Sequence, residues 1–115
     1  MKKLISSQST TSLSDFTKFE QQVLKSVNQI PIGKVTTYVY LAQAINNSKA
    51  SRAVGNALHK NPWAPKVPCH RVVRSDGLIG GYGGGVKKKL LLLQSEGIEV
   101  EKNRIKNFKQ LLYKF

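Results

Sequence analysis

The chain is short of acid, of sulfur and of long apolar runs. Asp and Glu together number 6 against 19 Lys and Arg, so the formal net charge is +13. That excess points to polyanionic partners, nucleic acid first and anionic membrane second, because neutralising phosphates releases counterions. A single cysteine excludes an internal disulfide and a Cys-rich zinc site, and it fits a reducing compartment. Cys69, His70 and His59 are too few ligands, at no standard spacing, so no metal is expected. No stretch approaches the roughly 20 apolar residues needed to span a bilayer. Met1-Lys2-Lys3-Leu4-Ile5 opens like a signal-peptide n-region, but Ser6-Ser7-Gln8-Ser9 ends it before an apolar region forms, and a cytoplasmic location is expected. There is no internal repeat, no Gly-Lys-Ser/Thr phosphate loop and no Rossmann glycine spacing. No cofactor is expected.

What is present fits one domain: 115 residues, 40% hydrophobic. Residues 1–14 are rich in Ser and Thr and read as a flexible N-terminal arm. Ser14 or Asp15 caps a helix to about Asn28, with Phe16, Phe19, Val23 and Val27 at helical spacing. Thr36 or Thr37 caps the next helix, whose apolar stripe is Tyr38, Leu41, Ala42 and Ile45. A third runs from about Lys49 to Lys60. Two short helices joined by a tight polar turn, on a basic chain, outline a helix-turn-helix. Arg52, Asn56 and His59 share one face of the third helix. Its Gly55 costs roughly 1 kcal/mol relative to Ala, which calls for a close approach by another helix or by DNA.

Asn61-Pro62 stops that helix. Val72-Val73-Arg74 and Leu78-Ile79 flank Ser75-Asp76-Gly77 and read as a small β-hairpin. Gly80–Gly85 is too loose for a regular element. A helix from about Val86 to Glu96 ends at Gly97. Its first turn holds Lys87-Lys88-Lys89, which oppose the helix dipole unless they face an anion. Residues 98–115 read as a basic, amphipathic extension ending in a helix with Ile105, Phe108, Leu111, Leu112 and Phe115 on its apolar face.

Between the third helix and the hairpin lies Pro68-Cys69-His70-Arg71-Val72. The only thiol adjoins an imidazole, between a stiff run with Pro62, Pro65 and Pro68 and the glycine-rich segment. Two readings stand at this point, a placed nucleophile and an inert buried cysteine.

Six motifs in order, Gly-Lys-Val-Thr-Thr-Tyr (33–38), Ser-Arg-Ala-Val-Gly (51–55), Asn-Pro (61–62), Pro-Cys-His-Arg-Val (68–72), Gly-Gly-Tyr-Gly-Gly-Gly (80–85) and Glu-Gly (96–97), decide the weight. From about Phe16 to Gly97 the chain resembles the catalytic, DNA-binding domain of the O6-alkylguanine-DNA alkyltransferases. The resemblance implies a mainly α, winged helix-turn-helix domain over 15–97 with a small β-hairpin wing. It implies base flipping and irreversible transfer of the alkyl group to a cysteine. By the same resemblance Cys69 is the acceptor, His70 the base acting through a water, Glu96 the carboxylate orienting it, Tyr38 the proton donor to the leaving guanine and Lys89 a lysine near O6. On the DNA and base side it implies Arg52 filling the vacated stack, Asn61 tying the helix end to the loop, and Tyr82 and Gly83 as lid, together with Asn56, Arg71 and Val72. Gly83 stands where many family members carry serine. The family's usual N-terminal domain has no counterpart here, so a minimal form is expected, a monomer acting on duplex DNA that contains O6-alkylguanine, nucleoid-associated and free of membrane. The rival is a non-catalytic, alkyltransferase-like damage sensor. Such sensors typically carry tryptophan at the acceptor position, and Cys69 argues against it.

Overall fold

The computed structural model describes residues 12–115. Most of the expected arm, residues 1–11, lies outside the described residues. Ser12 to Asp15 are drawn into a short 3-10 turn, in which the Ser12 N–H donates to the Asp15 carboxylate. The first helix, α1 (Lys18–Val27), therefore starts later than Ser14 or Asp15 would set it. Thr17 caps it because Glu20 stands three residues on: the Thr17 hydroxyl accepts from the Glu20 N–H at 3.1 Å, and the Glu20 carboxylate accepts from the Thr17 N–H at 3.0 Å.

Thr36–Thr37 form β1, and the Thr37 hydroxyl then caps α2 (Tyr38–Ala44) by accepting from the Tyr40 N–H. The helix pair closes with α3 (Ser51–His59). Val23, Val27, Leu41, Val54 and Leu58 pack into a first core, and Cys69 belongs to it. Each fully buried aliphatic side chain contributes about 1.5–3 kcal/mol, so the first core fixes α3 against the Cys69 loop.

The expected hairpin is replaced by a different pairing. Val72–Val73 form β2, which runs parallel to β1 with Thr36 beside Val72 and Thr37 beside Val73. The Arg74–Gly77 turn does form, with Gly77 at φ +88°, and the Arg74 N–H donates to the Leu78 carbonyl. Beyond it, however, Leu78 and Ile79 pair with residues 103–104.

After α4 (Val86–Ser95), the antiparallel hairpin of the fold is β3 (Val100–Glu101) with β4 (Arg104–Ile105). This corrects the helical reading of residues 98–115. Lys102 and Asn103 both take positive φ, 53° and 63°, as a two-residue hairpin loop requires. Asn107, also left-handed, precedes the only helical turn there, α5 (Phe108–Leu111). Ile98 and Ile105 join Val35, Val73, Ile79 and Leu93 in a second core. Residues past 97 thus pack against the core, as their apolar positions lead one to expect, but chiefly through a hairpin. The chain end runs beside Val35, whose N–H donates to the Leu111 carbonyl. Among the described residues no helix is long and apolar enough to cross a membrane.

Candidate active site

Cys69, His70 and Arg71 form a single 3-10 turn. With three residues per turn, three successive side chains point about 120° apart. That geometry separates their surroundings. Cys69 is on the wall of a cavity of about 600 Å³, shared with Tyr38 from α2, Arg52 and Asn56 from α3, and Tyr82 and Gly83 from the glycine-rich segment. His70, 1% exposed, and Arg71 contact the end of α4 instead.

Burial pushes the Cys69 thiol above its ordinary value. The Asn61 amide and the Lys89 cation oppose that shift. Asn61 Nδ2 donates to the Val67 carbonyl at 2.8 Å and lies 3.3 Å from Cys69 Sγ, while Asn61 Oδ1 accepts from the Trp63 N–H. The asparagine that ends α3 is therefore tied to the loop that carries the thiol.

His70 Nε2 lies 2.8 Å from Glu96 Oε2. Burial alone would raise the Glu96 carboxyl, but hydrogen bonds from Arg71 and His70 outweigh it and hold the group below its ordinary range. An ionised Glu96 accepts, so Nε2 carries the proton. Burial lowers the pKa of His70 in spite of Glu96, so the imidazole is neutral near pH 7. Its Nδ1 is then a lone-pair acceptor, and it is buried with no hydrogen-bond partner among the described residues.

Arg71, which the resemblance puts among the DNA- and base-binding residues, does not line the cavity. Its Nε and Nη2 donate to the two Glu96 oxygens at 2.9 and 2.7 Å, and Nη1 donates to the Ile30 carbonyl at 2.7 Å. A bidentate pair of this kind fixes the carboxylate plane. Val72 is fully buried, away from the cavity wall, and only its carbonyl serves the site, as an acceptor for Lys89.

Of the lysine run only Lys89 turns inward; Lys87 and Lys88 are exposed. Lys89 Nζ donates to Val72 O at 2.7 Å and to Gly81 O at 3.0 Å, and it lies 6.0 Å from the Tyr38 ring. Burial pulls its pKa from 10.5 down to about 8, with the Cys69 charge opposing. The sign of the linkage follows. The folded state releases this proton before the unfolded chain does, so the Lys89 contribution to stability rises with pH above about 8. Cys69, Tyr38 and Tyr82 are shifted upward and act in the opposite sense above their ordinary values of 9.0, 10.0 and 10.0. The clean window is therefore pH 8 to 9. Urea midpoints there are expected to show the wild type gaining about 1 kcal/mol relative to Lys89→Met; parallel curves would refute the assignment.

Tyr82 stands edge-on to His70, ring centroids 6.5 Å apart. Gly83 is exposed, and a side chain there would meet only the His59 carbonyl, at 3.9 Å. At Gly55 an added methyl would make ordinary contact, 3.8 Å, with the Tyr38 ring. Helix packing therefore does not demand that glycine, and the space beside it is the cavity. The cavity wall also holds Arg74 and Asp76, which the sequence gives no reason to select because they read as a strand end and a turn residue of a hairpin.

The family model for the 6-O-methylguanine DNA methyltransferase DNA-binding domain matches residues 18–98. The chain belongs to this family. The methylated-DNA–protein-cysteine methyltransferase of Haemophilus influenzae is 40% identical over 98 residues, covering 85% of this chain and 55% of that protein. Among solved structures, Mycobacterium tuberculosis OGT in complex with DNA superposes with a TM-score of 0.69 at 44% identity, over 70% of this chain and 50% of that one. S. pombe Atl1, solved with damaged DNA containing O6-carboxymethylguanine, superposes with a TM-score of 0.76 at 30% identity, over 85% of this chain and 96% of Atl1. The chain spans about half the length of the methyltransferases it matches, and nearly all of Atl1. The methyltransferase fold accounts for the mainly helical architecture expected from the sequence.

Proposed function

We propose that the chain repairs O6-alkylguanine in duplex DNA by irreversible transfer of the alkyl group to Cys69, with no cofactor. The carrying observation is the thiol set in the wall of a cavity roomy enough to admit a base, with the His70–Glu96–Arg71 cluster beside it. The alkyl carbon is out of reach inside the stack, so the guanine must rotate out, at a cost of a few kcal/mol. In this reading Arg52, exposed on α3, enters the vacated space, and Asn56 lies on the same DNA-facing surface. Tyr82 and Gly83 cover the flipped base.

His70 Nδ1 takes the thiol proton through a water, since thiolate is the reactive form of cysteine. The sulfur electron pair forms the S–C bond as the C–O6 bond breaks. Tyr38 supplies a proton to the guanine, and Lys89 gives the site its positive character. Nothing among these groups cleaves a thioether, so each protein acts once. A cytoplasmic, nucleoid-associated monomer is part of the same proposal, as is duplex DNA as partner.

Incubation with excess duplex containing O6-methylguanine tests it. Intact-protein mass spectrometry is expected to show one methyl group per chain, mapped to Cys69, with no second turnover. A protein that binds the duplex and stays unmodified would instead support the damage-sensor reading, which the extent of the likeness to Atl1 keeps specific.

A further inference from the structure

Arg74 has no role in the chemistry above, yet it stands in the cavity wall with Tyr38. Its stem and the Tyr38 phenol converge on one glycine. A methyl group placed on Gly80 would come within 3.4 Å of Arg74 Cγ and within 3.4 Å of Tyr38 Oη. Gly80 also holds φ +76°, a conformation that suits glycine.

The Arg74 guanidinium pairs with Asp76 at 3.3 Å, and both side chains are about half exposed. Exposed pairs of this kind contribute little to stability, so the cation is not committed to holding the fold. Cys69 from the 3-10 turn and Lys89 from α4 also face Tyr38, and Arg52, His59, Asp76 and Tyr82 share its cavity wall. Lys89 is already engaged by two carbonyls.

We propose that Arg74 acts through Tyr38, its guanidinium stabilising the phenolate formed when Tyr38 protonates the departing guanine. This rests on the alkyl-transfer reading. As the S–C bond forms and the C–O6 bond breaks, that bond's electrons enter the guanine ring. The Tyr38 O–H proton goes to the ring, and the phenolate recovers a proton from solvent afterwards. The thiol proton has already left through His70, so the step balances without a co-reactant. Burial and the Cys69 charge push the phenol upward, and Arg74 opposes them. Duplex DNA over the cavity would exclude water and strengthen that effect.

Single-turnover methyl transfer from saturating O6-methylguanine duplex, measured for wild type, Arg74→Ala, Arg74→Lys, Tyr38→Phe and Tyr38→Phe/Arg74→Ala, decides it. Arg74→Ala is expected to be about tenfold slower, a part of the roughly 10²–10⁴ that a positioned general acid contributes. Arg74→Lys should recover most of the rate. The double variant should be no slower than Tyr38→Phe alone, a coupling that a structural role would not produce. Losses that add in the double variant overturn the proposal. So does a wild-type rate in Arg74→Ala with weakened duplex affinity, which would make Arg74 a phosphate contact. A wild type that takes up no methyl group overturns the alkyl-transfer reading, and the proposal with it; the other two outcomes leave that reading intact.

Discussion

Cys69→Ala is expected to abolish alkyl transfer while leaving affinity for an O6-methylguanine duplex within a few-fold of wild type. The first half follows from chemistry. Attack on an alkyl carbon needs a soft, anionic nucleophile, and the cavity wall holds no other thiol. Cys69→Ser should be equally inactive, because a serine hydroxyl beside a neutral imidazole ionises far less readily than a thiol. The second half follows from where affinity arises. Phosphate contacts dominate binding to duplex DNA, and the net charge of +13 is unchanged by the substitution. The local cost is small, since Asn61 keeps its bond to the Val67 carbonyl when Sγ is removed. A loss of about 1 kcal/mol in stability is ordinary for trimming so little buried volume. Mass spectrometry and fluorescence anisotropy on one preparation measure both halves. A methyl group appearing on the alanine variant would end Cys69's role as acceptor. A collapse of affinity would show that the thiol helps to hold the lesion.

The frame around the Cys69 loop is legible because its signals are local. Pro62 stops α3, Thr37 caps α2, and Gly97, at φ +83°, ends α4, each for a reason contained in a few adjacent residues. The pairings that complete the fold are not local. β1 and β2 are two residues each, too short to show an alternating pattern, and they meet in parallel across the whole helix pair. The hairpin turn at Lys102-Asn103 was hidden because lysine gives no sign of a left-handed backbone, whereas Asp76-Gly77 gave a strong turn signal without the strand pairing it usually accompanies. The direction of Arg71 is hidden for a third reason. Its neighbours Cys69 and His70 stand in the same motif, and adjacency in a motif carries no direction until the 3-10 turn distributes the side chains. Its bidentate grip holds the same Glu96 carboxylate that His70 meets.

That grip makes Glu96→Gln the most damaging conservative change on the α4 side of the site. The carboxylate accepts from His70 Nε2, Arg71 Nε and Arg71 Nη2 together. An amide of the same size must turn an NH2 towards one of these donors, and it leaves the Arg71 cation, 12% exposed, without a counter-charge. Breaking a buried pair from one side costs about 3–5 kcal/mol, which for a domain of this length lowers Tm by on the order of 20 °C. Transfer should slow by about 10²–10⁴, the usual contribution of a positioned general base, because His70 loses the acceptor that fixes its tautomer. The acid limb changes as well. Glu96 is held below 4.5 and His70 below 6.5 in the folded state, so in each case the unfolded chain takes up the proton first and wild-type stability falls as pH drops. The His70 part begins to fall at about pH 6.5, and the Glu96 part below about 4.5. In Glu96→Gln the lower limb should flatten. Thermal melts from pH 3 to 8 and single-turnover rates measure these effects, and an unchanged Tm at pH 7 would refute the cluster. Adding Arg71→Met separates the two causes. If the stranded cation dominates, Arg71→Met/Glu96→Gln melts higher than Glu96→Gln while transfer stays slow; if the two melt together, the loss lies with His70.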